Sequence, residues 1–176
     1  NLKTNKFFHI GPPQDFDLFK LFKKNKIDSL KKSDFILCTG LFEDYEKDLN
    51  YYKDLFKNFN NKKMICTNPD LIVDRGDRRE YCAGAVAKIF EELGGNVKYF
   101  GKPYPPVYQQ SINVQGQKVL CIGDNLNTDI KGANIQNFDS MLISSGIHKK
   151  EMKKNIVNVE NKYKVKIDYY QSFLKW

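Results

Sequence analysis

The chain has 176 residues, enough for one large or two small domains with cores of their own. Hydrophobic residues make up 41% of the chain and aromatic residues 14%, a composition that excludes a disordered protein. The net charge of +8 comes from lysines scattered among asparagines, without base-reading or zinc-finger spacing, so we expect no nucleic-acid partner.

The spacing of the cysteines bears on the cellular location of the protein. Cys38, Cys66, Cys82 and Cys121 are isolated and form no C-x-x-C pair, which predicts free thiols in a reducing, cytoplasmic location. No apolar run approaches about 18 residues, so we expect no membrane span and no signal peptide. The chain begins with Asn1 rather than Met, and we interpret it as a fragment or as a chain whose start is unseen.

The first part of the chain alternates between apolar runs and helical patterns. Residues 6–10, 35–38 and 64–66 predict short buried strands, whereas residues 16–22 and 44–59 predict helices. Two successive strand–helix–strand units indicate a parallel sheet with right-handed connections.

A polar stretch follows the third strand. Pro69 keeps Asn68 out of the helical region, so we expect Asn68 and Asp70 to be exposed in a loop. Residues 74–80 also predict a loop, and it carries Arg75, Arg78 and Arg79, whose guanidinium groups suit carboxylates or phosphates. The alternative is a solvated surface loop with internal ion pairs.

The second part of the chain continues this alternation. A helix is predicted over residues 82–93, and the strand or hinge over residues 97–100 marks the domain boundary. The remaining predictions are a helix at 104–110, strands at 119–122 and 141–143, His148 on the surface, a loop at 149–166 and a last helix at 169–176.

Two aspartates follow the predicted strand 119–122. The strand stops at Gly123, and Asp124 and Asp129 come directly after it, with Asn125 beside the first. A carboxylate at the carboxyl end of a parallel strand lies where open α/β folds bind ligands, and hard oxygens there suit Mg²⁺. Asp124 could equally cap the next helix, and both interpretations stay open on these residues alone.

Four strings extend this picture: CTNPDLIVDRG at 66–76, CAGAVAKIFEELGG at 82–95, GKP at 101–103 and GDNLNTDI at 123–130. In this order they resemble the haloacid dehalogenase (HAD) superfamily, and more narrowly its class IIA group of NagD-like and p-nitrophenyl-phosphatase-like enzymes. The resemblance covers residues 34–148. It implies an α/β fold, with an α/β cap domain over residues 1–98. Residues 99–176 would form the C-terminal half of a HAD-like Rossmannoid parallel sheet, the catalytic core.

The resemblance also implies a chemistry. Enzymes of this family transfer a phosphoryl group to an aspartate near the N-terminus, and water hydrolyses the aspartyl-phosphate. By motif, Lys102 corresponds to the catalytic lysine, Asp124 to the direct Mg²⁺ ligand, and Asp129 to an outer carboxylate, with Asn125 ordering the metal's waters. The cap loop implies substrate contacts, and their candidates are Asn68, Asp70, Arg75, Arg78 and Arg79.

One family element is absent from these residues. No D-x-D-G string precedes the cap, and Asp15 and Asp17 have the spacing without the preceding strand or the glycine, so we interpret them as a helix start. Two hypotheses follow. The first is a Mg²⁺-dependent phosphatase of a small phosphorylated metabolite whose nucleophile segment is missing from this chain. The second is a non-catalytic remnant that binds a phosphorylated ligand or a protein partner. Half a parallel sheet exposes an apolar edge, so a homo-oligomer is a further expectation.

Overall fold

The computed structural model describes residues 5–112, 116–152 and 155–175, and the chain divides into two compact units, Asn1–Phe100 and Gly101–Trp176. This division lies next to the expected boundary between residues 98 and 99. The roles of the two parts as cap and core stay predictions. Over the described ranges, no helix combines the length and the apolar character that crossing a bilayer requires.

The first unit is built on a four-stranded parallel sheet, whose strands in spatial order are β1 (Phe7–Ile10), β2 (Phe35–Cys38), β3 (Lys63–Cys66) and β6 (Asn96–Tyr99). The pairing register sets Ile10, Cys38, Cys66 and Tyr99 side by side, so the carboxyl ends of all four strands lie at one edge. Apolar residues in each strand favour this buried sheet.

Helices cover one face of this sheet. Helix α1 (Leu49–Phe56) and helix α2 (Ala83–Glu92) bury Tyr52, Phe56 and Phe90 in the main core. Helix α1 is shorter than the predicted 44–59 because Asp48 caps it, accepting the N–H groups of the first helical turn. Helix α2 matches its prediction closely.

The opposite face of the sheet is covered by a 3₁₀ segment, Pro13–Asn25, where an ordinary helix was expected. Phe16, Phe19 and Phe22 lie three residues apart, a spacing that suits the three residues per turn of a 3₁₀ helix. Phe19 packs edge-on against Phe7 with ring centroids 5.4 Å apart. Phe19 and Phe22 have non-helical backbone angles, so the segment is kinked at both positions.

The predicted polar loop at residues 74–80 is a β-hairpin instead. Strands β4 (Ile72–Arg75) and β5 (Arg78–Tyr81) pair antiparallel, and Gly76 and Asp77 connect them. Gly76 has a φ of +60°, which tight hairpin turns require and glycine adopts without strain. The prediction was wrong because these short strands carry mostly charged residues and lack an apolar alternation.

The second unit contains a three-stranded parallel sheet, whose strands in spatial order are β7 (Leu120–Gly123), β8 (Asp139–Ile143) and β9 (Tyr169–Gln171). Helix α3 (Pro105–Ser111) precedes the sheet, and a π-helical segment (Leu126–Ile130) continues into helix α4 (Lys131–Gln136) between β7 and β8. The core consists of Leu126, Ile130, Leu142, Val159 and Val165.

Two predictions for the end of the chain were wrong. Residues 149–166 are not a loop, since they contain helices α5 (Lys149–Met152) and α6 (Ile156–Tyr163). Helix α6 is short, begins after Asn155, whose side chain accepts the N–H of Val157, and buries only Val159 deeply. The expected last helix contains strand β9, and Trp176, which was assigned to that helix, lies outside the described residues.

We expect the stability of the first unit to depend on pH through His9 on β1. Its Nε2 lies 2.8 Å from Thr39 Oγ1, and burial, followed by the charge of Lys26, lowers the His9 pKa from 6.5 to about 4. The unfolded chain therefore binds more protons between these values, and the free energy of unfolding falls as the pH decreases from 6.5 to about 4. We expect a loss of about 2–3 kcal/mol across this window.

Denaturant unfolding at a series of pH values between 7 and 4 measures this loss. The variant His9→Gln removes the titrating group and should lose this part of the pH dependence. Identical pH profiles for the variant and the parent chain would contradict the assignment to His9.

Candidate active site

A lysine and an aspartate that are 27 positions apart form an ion pair in the second unit. Lys102 lies in the turn before α3, which is closed by the N–H of Tyr104 and the carbonyl of Gly101. Its Nζ donates to Asp129 Oδ1. The Asp129 side chain is 7% exposed and that of Lys102 48%, so the carboxylate is buried while the ammonium group reaches solvent.

The second oxygen of Asp129 organises the loop after β7. Asp129 Oδ2 accepts the backbone N–H groups of Asp124 at 3.1 Å and Asn125 at 3.0 Å. Gly123 is the last residue of the strand, and it has to be glycine because a Cβ at that position would overlap the Asp129 carboxylate. Because both of its oxygens accept hydrogen bonds, the Asp129 side chain is fixed and orients the backbone of Asp124.

Asp124 is held from the other side by the loop after β8. Its Oδ2 accepts the N–H of Ile147 at 3.0 Å, and Gly146 lies so close that a Cβ there would overlap the Asp124 side chain. From the described residues, Oδ1 accepts no hydrogen bond. One carboxylate oxygen therefore remains for a cation or its waters.

Asn125 has a local structural role. Its Oδ1 accepts the N–H of Asn127 at 2.9 Å and caps the segment Leu126–Ile130. This oxygen is occupied by the backbone, and the expected ordering of metal-bound waters by Asn125 stays a prediction.

These donors can be compared with what Mg²⁺ requires. Within the described ranges, no group of three or more His, Cys, Asp or Glu side chains is arranged to hold a metal. Mg²⁺ is commonly bound through one or two carboxylates and keeps several waters, so a single carboxylate beside a fixed second one fits it. Asp124 would be the direct ligand, and the hydrogen bonds of Asp129 suit the outer position.

Sequence reasoning missed three residues that support this site. Gly146 and Ile147 hold Asp124, and they belong to no motif that could have identified them. Tyr108 on α3 packs against Gly132 on α4, where a Cβ would overlap its hydroxyl. Burial, with contributions from Cys121 and Asp129, raises the pKa of Tyr108 to about 12, so its hydroxyl stays protonated.

The first unit contains a separate group of predicted residues around a cleft of about 760 Å³. The cleft lies at the carboxyl ends of the strands, where Thr39, Gly40 and Asn68 line it, and Asp15 lines it as well. Arginines of the hairpin complete the lining, but Asp70 is not part of it. The carboxyl edge of a parallel sheet is the usual place for ligands in open α/β folds.

The three arginines of the hairpin differ in their partners. Arg79 donates from Nε and Nη2 to Asp74 at 2.7 and 2.9 Å, an ion pair that lowers the pKa of the Asp74 carboxyl. Arg75 lies opposite Arg78 in the hairpin, and its Nε is 3.4 Å from Glu80 Oε2. Among the described side chains, Arg78 has no carboxylate partner. It is therefore the arginine most available for an anionic ligand.

Comparison with known proteins matches the second unit to a protein family. The model of the HAD-hydrolase-like family matches residues 99–168. Dihydroxyacetone phosphatase of Corynebacterium glutamicum is 30% identical over 89 residues, covering 48% of this chain and 32% of that protein. Ribonucleotide monophosphatase NagD of Escherichia coli K12 is 27% identical over 118 residues, covering 65% of this chain and 45% of that protein. The chain thus spans less than half the length of either relative.

A solved structure indicates the same family as these relatives. A haloacid dehalogenase-like hydrolase from Brucella suis 1330 superimposes with a TM-score of 0.76 and 32% identity, covering 82% of this chain and 57% of that chain. This likeness confirms the predicted α/β fold of the HAD type. The family model over residues 99–168, the NagD relative and the shared fold together support a hydrolase of the haloacid dehalogenase superfamily, of its class IIA group.

Proposed function

We propose that this chain is part of a magnesium-dependent phosphatase that hydrolyses a small phosphorylated metabolite. The observation that carries this proposal is the group formed by Lys102, Asp129 and Asp124 at the carboxyl end of β7. One cation and two carboxylates, one of them with an oxygen left for a metal, form a polar cluster suited to a phosphate ester. The relatives named dihydroxyacetone phosphatase and ribonucleotide monophosphatase support the same reaction class.

Each residue has a defined part in this proposal. The Lys102 ammonium group is half exposed and can neutralise negative charge on the phosphoryl oxygens while Asp129 holds its position. Asp124 would hold Mg²⁺, which supplies electrostatic stabilisation of the phosphoryl group when bound. Asp129 binds both the Lys102 ammonium group and the backbone of the Asp124 loop, and so keeps Asp124 and Lys102 close together.

The nucleophile has to be supplied from outside these residues. Asp15 and Asp17 lie in the 3₁₀ segment of the first unit, and the chain has no D-x-D-G string. We propose that a separate segment provides the aspartate that forms the aspartyl-phosphate.

The cysteines Cys38, Cys66, Cys82 and Cys121 are all free, which supports a reducing, cytoplasmic location.

Hydrolysis of p-nitrophenyl phosphate tests the proposal. We expect the purified 176-residue chain to show no turnover above background, because loss of a covalent nucleophile costs on the order of 10⁴–10⁶ in rate. A full-length protein that contains a D-x-D-G segment should turn over the substrate, and chelation of Mg²⁺ should abolish this activity.

Two results would change the interpretation. Magnesium-dependent turnover by the 176-residue chain would contradict an external nucleophile. An inactive full-length protein that still binds inorganic phosphate would contradict the phosphatase and favour a non-catalytic protein that binds a phosphorylated ligand.

We expect the first unit to bind the substrate through the arginines of the hairpin. In the active full-length protein, Arg78→Ala should raise KM about tenfold with little change in kcat, because a charge-assisted hydrogen bond to the substrate is lost. Arg79→Ala is the matched control, since Asp74 already occupies its guanidinium group. A larger KM effect for Arg79→Ala than for Arg78→Ala would contradict this assignment. The predicted substrate contacts of Asn68, Asp70 and Arg75 can be compared in the same assay.

A further inference from the structure

A buried histidine lies beside the loop that holds Asp124. His148 was expected on the surface, but it is only 8% exposed. Its ring packs edge-on against Tyr163 of helix α6, with ring centroids 4.9 Å apart. Burying a histidine costs free energy unless its nitrogens find partners, and among the described residues Nδ1 has a hydrogen-bond partner whereas Nε2 has none. Its contacts therefore indicate what it does.

The partner of His148 is a carboxylate that is itself firmly held. His148 Nδ1 lies 3.2 Å from Glu151 Oε1, and Glu151 also accepts the hydroxyl of Tyr163 at 2.7 Å and the ammonium group of Lys162. The hydrogen bond from Lys162, followed by that from Tyr163, lowers the pKa of Glu151 to about 2. Glu151 is therefore ionised at neutral pH, and Nδ1–H of His148 donates to it.

His148 stands directly after the residue that contacts Asp124. Ile147 donates its N–H to Asp124 Oδ2 at 3.0 Å, and Gly146 packs against the same carboxylate. The peptide that carries this donor is thus fixed on its C-terminal side by the His148 side chain. The backbone carbonyl of His148 also accepts the N–H groups of Glu151 and Met152, which starts helix α5.

The other side of this loop is fixed by the end of the chain. Ser144 donates its N–H to the Gln171 carbonyl at 2.9 Å, and Ser145 donates to the Ser172 carbonyl at 3.1 Å. The loop between β8 and α5 is therefore held at two points, by the backbone after β9 and by the cluster of His148, Glu151 and Tyr163. Ile147 lies between these two points.

We propose that His148 is a positioning residue, which holds the Ile147 N–H against Asp124 Oδ2 through its hydrogen bond to Glu151. This inference deepens the proposed function, on which its relevance for Mg²⁺ binding rests. Partners that orient a metal ligand without touching the metal typically contribute 10- to 100-fold in affinity or activity. An Asp124 carboxylate without its Ile147 donor would rotate more freely and bind a cation less tightly.

Two substitutions of His148 separate positioning from simple packing. His148→Asn places an amide N–H near the position of Nδ1 and can still donate to Glu151, whereas His148→Leu retains an apolar side chain but cannot donate. Val159→Ala is the control for stability, because it removes buried volume from the core against which Tyr163 packs but removes no hydrogen bond of the cluster. Glu151→Gln weakens the hydrogen bond from its other end and serves if His148→Leu does not fold.

The first measurement is NMR of the Ile147 amide in the 176-residue chain without metal. In His148→Leu we expect its proton resonance to move and its hydrogen exchange to accelerate about tenfold or more, whereas His148→Asn should restore most of the parent behaviour. The second measurement is the dissociation constant for Mg²⁺, which should rise about tenfold in His148→Leu and about twofold or less in His148→Asn.

An unchanged Ile147 amide in His148→Leu would overturn the inference, as would equal effects of His148→Leu and Val159→Ala. The amide measurement needs neither metal nor turnover. If the parent chain binds no Mg²⁺ but the amide responds as expected, the proposed metal site fails while the positioning role stands.

Discussion

Asp124→Asn is expected to abolish magnesium-dependent phosphatase activity in the full-length protein, with a loss of at least about 10²–10³-fold in kcat. Asparagine retains an oxygen that can accept the Ile147 N–H, so the loop should stay in place. It lacks the negative charge that attracts a divalent cation, so metal binding should be lost without loss of fold. The measurements are kcat with excess Mg²⁺ and a metal titration by calorimetry.

Two further variants make this prediction specific. Asp139→Asn removes an exposed carboxylate at the amino end of β8 and should leave activity unchanged. Asp129→Asn should weaken metal affinity more mildly and lower stability, because the Asp129 carboxylate accepts one ammonium and two backbone N–H groups. If Asp129→Asn loses Mg²⁺ while Asp124→Asn keeps it, the roles of the two carboxylates are reversed.

Lys102→Ala should lower kcat by about 10²–10³-fold, comparable to the loss of one oxyanion donor. The same change leaves the buried Asp129 carboxylate without its cation, although two backbone N–H groups remain. We therefore expect a second, smaller effect, a loss of about 1–3 kcal/mol in the free energy of unfolding. Steady-state kinetics and denaturant unfolding of the same preparation measure both effects.

The double variant Lys102→Ala with Asp129→Asn separates these two effects. If the stability loss comes from the unpaired carboxylate, the double variant should be less destabilised than the sum of the single variants. Lys118→Ala, an exposed lysine in the same unit, is the control for a general effect of charge. A near-normal kcat for Lys102→Ala with an unchanged unfolding curve would argue against any role of this lysine.

Three of the strands were predictable because each is a short run of mostly apolar residues. The strands that begin at Phe7, Phe35 and Leu120 are short apolar runs ended by glycine, proline or threonine, a pattern that favours buried parallel strands in most surroundings. The hairpin and helix α6 were not predictable in this way. Their residues are mostly polar, and their conformation depends on turn geometry, on capping by Asn155 and on contacts with distant residues.

The amino-acid sequence by itself determined the residue types of the candidate site, since the GKP and GDNLNTDI strings indicate a lysine and two carboxylates near the end of a buried strand. Only the tertiary structure decided how they are used. It paired Lys102 with Asp129 and placed the Ile147 N–H on Asp124. It also buried His148, which the sequence had suggested was on the surface. The physical reason is that these hydrogen bonds join residues 23 and 27 positions apart. The pairing of β7 with β8 brings Ile147 to Asp124, and the packing of α3 against α4 brings Lys102 to Asp129.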